Sequence, residues 1–100
     1  MKYDKLVRDY VPDRIREKGG TPIVHIASPE EYWEKLQEKF MEEFREFLES
    51  KSLEELADLY EVLDAIVEHE GFGIEELKKV RRQKAVARGR FQRKIILEEA

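Results

Sequence analysis

The sequence predicts a mostly α-helical fold organised around a helical hairpin, and three observations lead there. Apolar residues recur at helical spacing through residues 33–48 and again through residues 56–67. Each run opens on a serine with a glutamate three residues later, Ser28 with Glu31 and Ser52 with Glu55, as capped helices do. Glycines at positions 19, 20, 71, 73 and 89 fall where the helical patterns stop. At 100 residues the chain has the size of one domain, residues 1–100, and can bury only a modest core by itself.

Taken in order, "KLVRDYVPDRIREKGG" spaces Leu6, Val7, Val11 and Ile15 as a helix does. Pro12 fits only at a helix start, which places a short helix over about residues 12–18, closed by Gly19 and Gly20. "TPIVHIA" is β-branched and flanked by proline, so an extended segment or edge strand is expected near residues 22–27. "SPEEYWEKL" then starts a long helix, with Ser28 as cap and Pro29 in the first position. Trp33, Leu36, Phe40, Phe44, Phe47 and Leu48 make its apolar stripe, and the helix runs through Glu49. Ser52 caps the next helix, whose stripe is Leu56, Leu59, Tyr60, Leu63, Ile66 and Val67, and "GFG" at 71–73 stops it. A further helix spans about Ile74 to Arg88 with Gly89 behind it, and "FQRKIIL" predicts a short strand or extended arm near residues 93–97.

Composition narrows the class. Hydrophobic residues are 41% of the chain and charged residues 42%, too apolar for a disordered chain. There is no cysteine, so disulfides and thiolate metal sites are excluded. No apolar run reaches membrane-spanning length, and "MKYDKLVRDY" lacks the apolar stretch of a signal peptide, so a soluble, cytoplasmic protein is expected. The net charge of −4 conceals segregation: residues 1–20 carry +2, residues 30–76 carry −13 and residues 78–100 carry +7. An acidic middle between basic ends suits a cation in the middle and a polyanion at the ends, and it also suits mutual neutralisation within the fold.

The acidic middle has a pattern. The turn between the long helices is centred near Lys51, so antiparallel partners have numbers summing to roughly 101–103. Glu46 then faces Glu55 and Glu43 faces Asp58, each pair lying on one side of its own helix. Four carboxylates converging between two helices repel one another unless a cation compensates, and oxygen ligands favour a hard ion such as Mg²⁺ or Mn²⁺. Other uses compete for the same residues. Glu55 also fits a capping-box partner, Glu42 also fits solvated surface, and Glu61 with Asp64 repeats the E-x-x-D spacing and could face Glu38 and Glu42.

The stretches "EEFRE" and "EELADLYEVLDAI" resemble the MazG-type all-α nucleoside triphosphate pyrophosphohydrolases, whose signature is EExxE, a spacer, then ExxD. "EELADL" is also similar to phosphoribosyl-ATP pyrophosphohydrolase, a relative in that superfamily, and "KLVRDYVPDRI" with "RGRFQRKIIL" resembles a small house-cleaning branch of it. The resemblance implies Mg²⁺-dependent conversion of a nucleoside triphosphate, in this branch a non-canonical one, to the monophosphate and pyrophosphate. It implies Glu43, Glu46, Glu55 and Asp58 as metal ligands and Glu42 as the residue that orients or deprotonates water. Lys5 and Arg8 in "KLVRD", and Lys84 with Arg88 in "RRQKAVARGRF", are the cations expected at the phosphates, although salt bridges to the acidic helices would use Lys84 and Arg88 equally well. The chain departs from the family pattern in its spacer: only eight residues separate Glu46 from Glu55, which leaves the Glu61 and Asp64 pairing open.

Trp33, Tyr60 and Phe72 are candidate walls for a base, though aromatic residues at helical spacing serve a core as readily. His25 and His69 are isolated and assigned to no metal; His69 suits the C-terminal end of its helix. A homodimer or larger homo-oligomer is expected from the small core. Two other functions fit parts of the sequence, a nucleic-acid-binding module using the basic C-terminal stretch and a non-catalytic helical interaction protein. The −13 middle repels nucleic acid, so nucleic acid is not the expected partner.

Overall fold

Two serine caps set the architecture. In the computed structural model, which describes residues 4–100, the Ser28 hydroxyl accepts from the Glu31 N–H and the Ser52 hydroxyl accepts from the Glu55 N–H. Those caps open α2 (Pro29–Ser50) and α3 (Leu53–His69), which follow a short α1 (Val11–Glu17) and precede α4 (Ile74–Arg88). The capping boxes form only by half. The Glu31 carboxylate turns to the His25 ring at 2.9 Å, the Ser52 N–H donates to Ser50 Oγ, and the Glu55 carboxylate points into the hairpin.

The turn between α2 and α3 is two residues long because Lys51 takes the left-handed conformation, φ 50° and ψ 30°, and donates its N–H back to the Phe47 carbonyl. So tight a reversal forces the helices to run antiparallel in contact, and their packing is the one extensive helix–helix contact among the described residues. At the next turn Gly71, at φ 78°, adopts a backbone that side chains resist, and α4 leaves the hairpin there.

The two segments expected as strands or extended arms form no strand. Residues 22–27 and 93–97 have no regular secondary structure, and none of the described residues lies in a β-strand. A lone extended segment has no ladder to satisfy its backbone, and neither segment finds a partner strand. Asp9 neither caps α1, whose cap position Tyr10 fills without a side-chain bond, nor pairs with Arg8, which reaches Asp58 instead.

The core is thin. Among the described residues only Leu36, Val62 and Val67 are buried apolar residues, with Leu36 1% exposed. The inward flank of α3 is centred on Val62, which the predicted stripe omitted, whereas the stripe residues Tyr60 and Leu63 are exposed. On α2 the stripe residues Phe44 and Leu48 are exposed too, as is Met41. An apolar arc wider than one neighbouring helix can cover leaves its other half open. The whole chain exposes 9540 Å², against about 6,000 Å² for a folded monomer of 12.0 kDa. Its radius of gyration is 17.9 Å, where a domain of this length packs to about 13 Å. Much of the excess lies on α4, where no residue is buried, and on the segment that follows it.

Because Leu36 is the one fully enclosed side chain among the described residues, Leu36→Ala is expected to destabilise the protein by about 2–5 kcal/mol in urea denaturation. A loss below about 1 kcal/mol would show that the α2–α3 contact does not carry the fold.

Candidate metal centre

Five carboxylates meet where α2 and α3 face one another near the turn. Oxygens of Glu42, Glu43 and Glu46 lie within 4.8 Å of each other, and so do oxygens of Glu43, Glu55 and Asp58. Glu43 belongs to both groups. It sits one turn from Glu46 on α2 and faces the first two turns of α3, which carry Glu55 and Asp58 one turn apart. The short spacer therefore preserves the convergence of Glu43 with Glu55 and Asp58. Glu61 and Asp64, the alternative pair, are exposed and join no such group among the described residues.

Glu43 is 6% exposed, and its Oε2 has no hydrogen-bond partner; Oε2 of Glu55 is likewise enclosed and unpartnered. A buried carboxylate oxygen without a donor is costly, so this position demands a proton or a cation. Burial pushes the Glu43 carboxyl above its ordinary range, against the opposing pull of Lys39, whose Nζ stands 3.3 Å from Oε1. Glu55 is pushed up to about 7, first by loss of solvent and then by the carboxylates of Glu46 and Glu43.

Glu42 goes the other way. Lys5 Nζ donates to its Oε1 at 2.8 Å and holds the carboxyl below the usual range, with Lys39 3.7 Å from its other oxygen. Arg8 forms a second cross-chain pair, to Asp58 Oδ1 at 2.8 Å. The expected phosphate cations Lys5 and Arg8 thus stand at the acidic group as partners of its carboxylates. Lys39 was missing from the sequence-based site; its spacing of i+3 to Glu42 and i+4 to Glu43 was the available signal.

Lys84 and Arg88 are placed differently. Both lie on the exposed helix α4 and make no salt bridge or hydrogen bond among the described residues, so one chain does not bring them to the acidic group. Among the described residues neither side chain pairs with the acidic helices, because α4 leaves the hairpin at Gly71.

The aromatic candidates also scatter. Trp33 stacks on His69 with ring centroids 5.6 Å apart and planes 6° apart, while Tyr32 meets the same imidazole edge-on. Tyr60 is exposed, and Phe72 lines a shallow pocket of about 360 Å³ with Asp64, Val67, Glu68 and Ile74. That pocket contains none of the five clustered acids.

Comparison with known proteins adds little to the geometry. No protein-family model matches the chain, and no solved structure matches it. Over 42 residues it is 45% identical to an uncharacterised protein of Mycolicibacterium smegmatis, a stretch that covers 42% of this chain and 43% of that protein. The chain thus spans less than half the length of the relative it matches. Among the described residues no helix is long and apolar enough to cross a membrane.

The raised carboxyls have a consequence for stability. A carboxyl whose folded pKa lies above its unfolded value binds its proton more tightly when folded, so stability falls as pH rises between the two values. Glu55 is raised from 4.5 to about 7, and Glu43 moves in the same direction. With divalent ions chelated, urea denaturation is expected to find the protein more stable near pH 5 than near pH 8. Glu55→Gln should flatten that slope, and a slope of opposite sign would contradict the clustering.

Proposed function

We propose that the chain is a divalent-cation-dependent nucleotide pyrophosphohydrolase of the MazG-like type, converting a nucleoside triphosphate to the monophosphate and pyrophosphate. The observation that carries this reading is the buried Glu43, which belongs to both groups of carboxylates and has an unpartnered Oε2. An all-oxygen donor set of this charge fits Mg²⁺, with Mn²⁺ as its substitute, and Glu43, Glu46, Glu55 and Asp58 would hold the ion. When bound, the ion supplies charge neutralisation for phosphate oxygens and lowers the cost of activating water.

The chain's own groups do the rest. Glu42, whose carboxyl Lys5 and Lys39 hold below the usual range, is ionised and offers a carboxylate oxygen to orient an attacking water and accept its hydrogen bond. The water oxygen bonds to phosphorus, the bond bridging the α- and β-phosphates breaks, and the proton leaves through Glu42 to solvent or product. Lys5 and Arg8, within reach of the same carboxylates, are the cations that meet the phosphate charge. The enclosed position of Glu43 favours this reading over a helical protein whose acids are merely solvated, because solvated acids need not be buried.

The protein is further read as a homodimer or larger assembly of identical chains. The support is the surface excess of about 3,500 Å² over a folded monomer, more than one chain contributes to an ordinary obligate interface. The open halves of the apolar arcs, with Phe44 and Leu48 on α2 and Tyr60 and Leu63 on α3, are the surfaces that a second copy would cover.

The activity is tested with a panel of standard, deoxy and damaged nucleoside triphosphates, in Mg²⁺ and then Mn²⁺, scored for pyrophosphate release. Glu43→Gln is expected to lower turnover by roughly a hundredfold or more. The same change should leave metal-free melting temperature equal or higher, since one repelling charge is gone. Full activity in that variant would overturn the ligand assignment. Sedimentation at micromolar concentration should find at least twice the 12.0 kDa chain mass, reduced to one chain by Phe44→Glu with Leu63→Glu. A wild-type monomer would refute the assembly.

A further inference from the structure

The segment ahead of α1 spans the face of the hairpin. From it Lys5 reaches Glu42 on α2 and Arg8 reaches Asp58 on α3, both at 2.8 Å and across 37 and 50 residues of chain. Among the described residues these are the two cations that reach the acidic group from a distant part of the sequence; a third cation there, Lys39, is fixed on α2 and mostly enclosed. Lys5 and Arg8 differ from Lys39 in two ways. Their side chains are 43% and 58% exposed, and their backbone lies outside any helix, so both can leave without unwinding a helix. Exposed pairs of this kind are weak and exchange readily.

We propose that Lys5 and Arg8 are exchangeable counter-cations. They neutralise the carboxylates of the metal-free site and pass to the phosphate oxygens of the substrate when a divalent cation takes their place. This rests on the pyrophosphohydrolase reading and extends it to how the site is loaded. The charge balances: two monovalent side chains leave the acidic group as one divalent ion enters. Without them the metal-free site would hold five converging carboxylates against Lys39 alone among the described residues. With them in place, an incoming ion must displace two positive charges, so the pairs also hold down the affinity for a bare ion. The released side chains suit their second task, because guanidinium and ammonium groups bind phosphate as well as carboxylate. Departure of Lys5 also frees Glu42 Oε1 to take a hydrogen bond from water.

The exchange predicts opposite shifts for two ligands in one variant, which a merely structural role for the segment would not produce. In Lys5→Gln with Arg8→Gln, titration with Mn²⁺ alone, followed by its paramagnetic resonance signal, should give binding about tenfold tighter than wild type. Calorimetric titration of the same variant with pyrophosphate in saturating Mg²⁺ should give binding at least about tenfold weaker. Helix content measured by circular dichroism checks the fold, and should the double variant unfold, each single variant is expected to show the same two directions at smaller size. Wild type that binds Mn²⁺ while the variant binds it equally or more weakly overturns the exchange and leaves the metal site standing. Unchanged pyrophosphate binding overturns the transfer to phosphate. Wild type that binds no Mn²⁺ removes the metal site and this proposal with it.

Discussion

The rest of the structure depends on a carboxylate placed where a hydrophobic contact would ordinarily be. Glu43 lies on the flank of α2 that faces α3, seven residues from Leu36, the best-enclosed apolar side chain. Burying an unpaired acid costs several kcal/mol, a large share of what a small domain retains as net stability. The fold bears that cost with local compensation: Lys39 one turn back, a raised pKa at Glu43 and Glu55, and two cations carried in from the N-terminal segment. None of these supplies a donor to the two enclosed oxygens, and that deficit is what gives the proposed cation its place.

Holding the acids close constrains the hairpin as well. The two-residue turn at Lys51 brings the first turn of α3 directly against α2, and Ser52 anchors the new helix there through the Glu55 N–H. Glu55 thus serves the cap with its backbone and the acidic group with its side chain. The same compact turn leaves each helix with one neighbour, so half of each apolar arc stays open and the core holds few side chains. A hairpin with an acidic interior face and apolar outer flanks is poorly suited to standing alone, which is why the proposed assembly and the proposed site belong together physically.

Charge segregation acts at two ranges. Within α2, Lys35, Lys39 and their glutamates pair at i+3 and i+4, as exposed helices do. Across the chain, the basic N-terminal segment reaches the acidic middle through Lys5 and Arg8, while the basic α4 does not reach it within one chain. The mutual neutralisation that the charge map permits is therefore realised at one end only.

What the sequence determined by itself is local. The bounds of α2, α3 and α4 follow from Ser28, Ser52, Gly71 and Gly89, because caps and left-handed stops act through hydrogen bonds a few residues long. The meeting of Glu43 with Glu55 and Asp58 was half legible, since a tight turn fixes which positions of two antiparallel helices face each other. Tertiary structure alone decided that Val62 is buried while Tyr60 and Leu63 are not, because the covered half of an apolar arc depends on where the neighbour lies. It alone decided that Lys5 holds Glu42 and Arg8 holds Asp58, since no periodicity links residues 37 and 50 positions apart. It also decided that "TPIVHIA" stays irregular: β-propensity needs a partner strand, and this chain folds without one among its described residues.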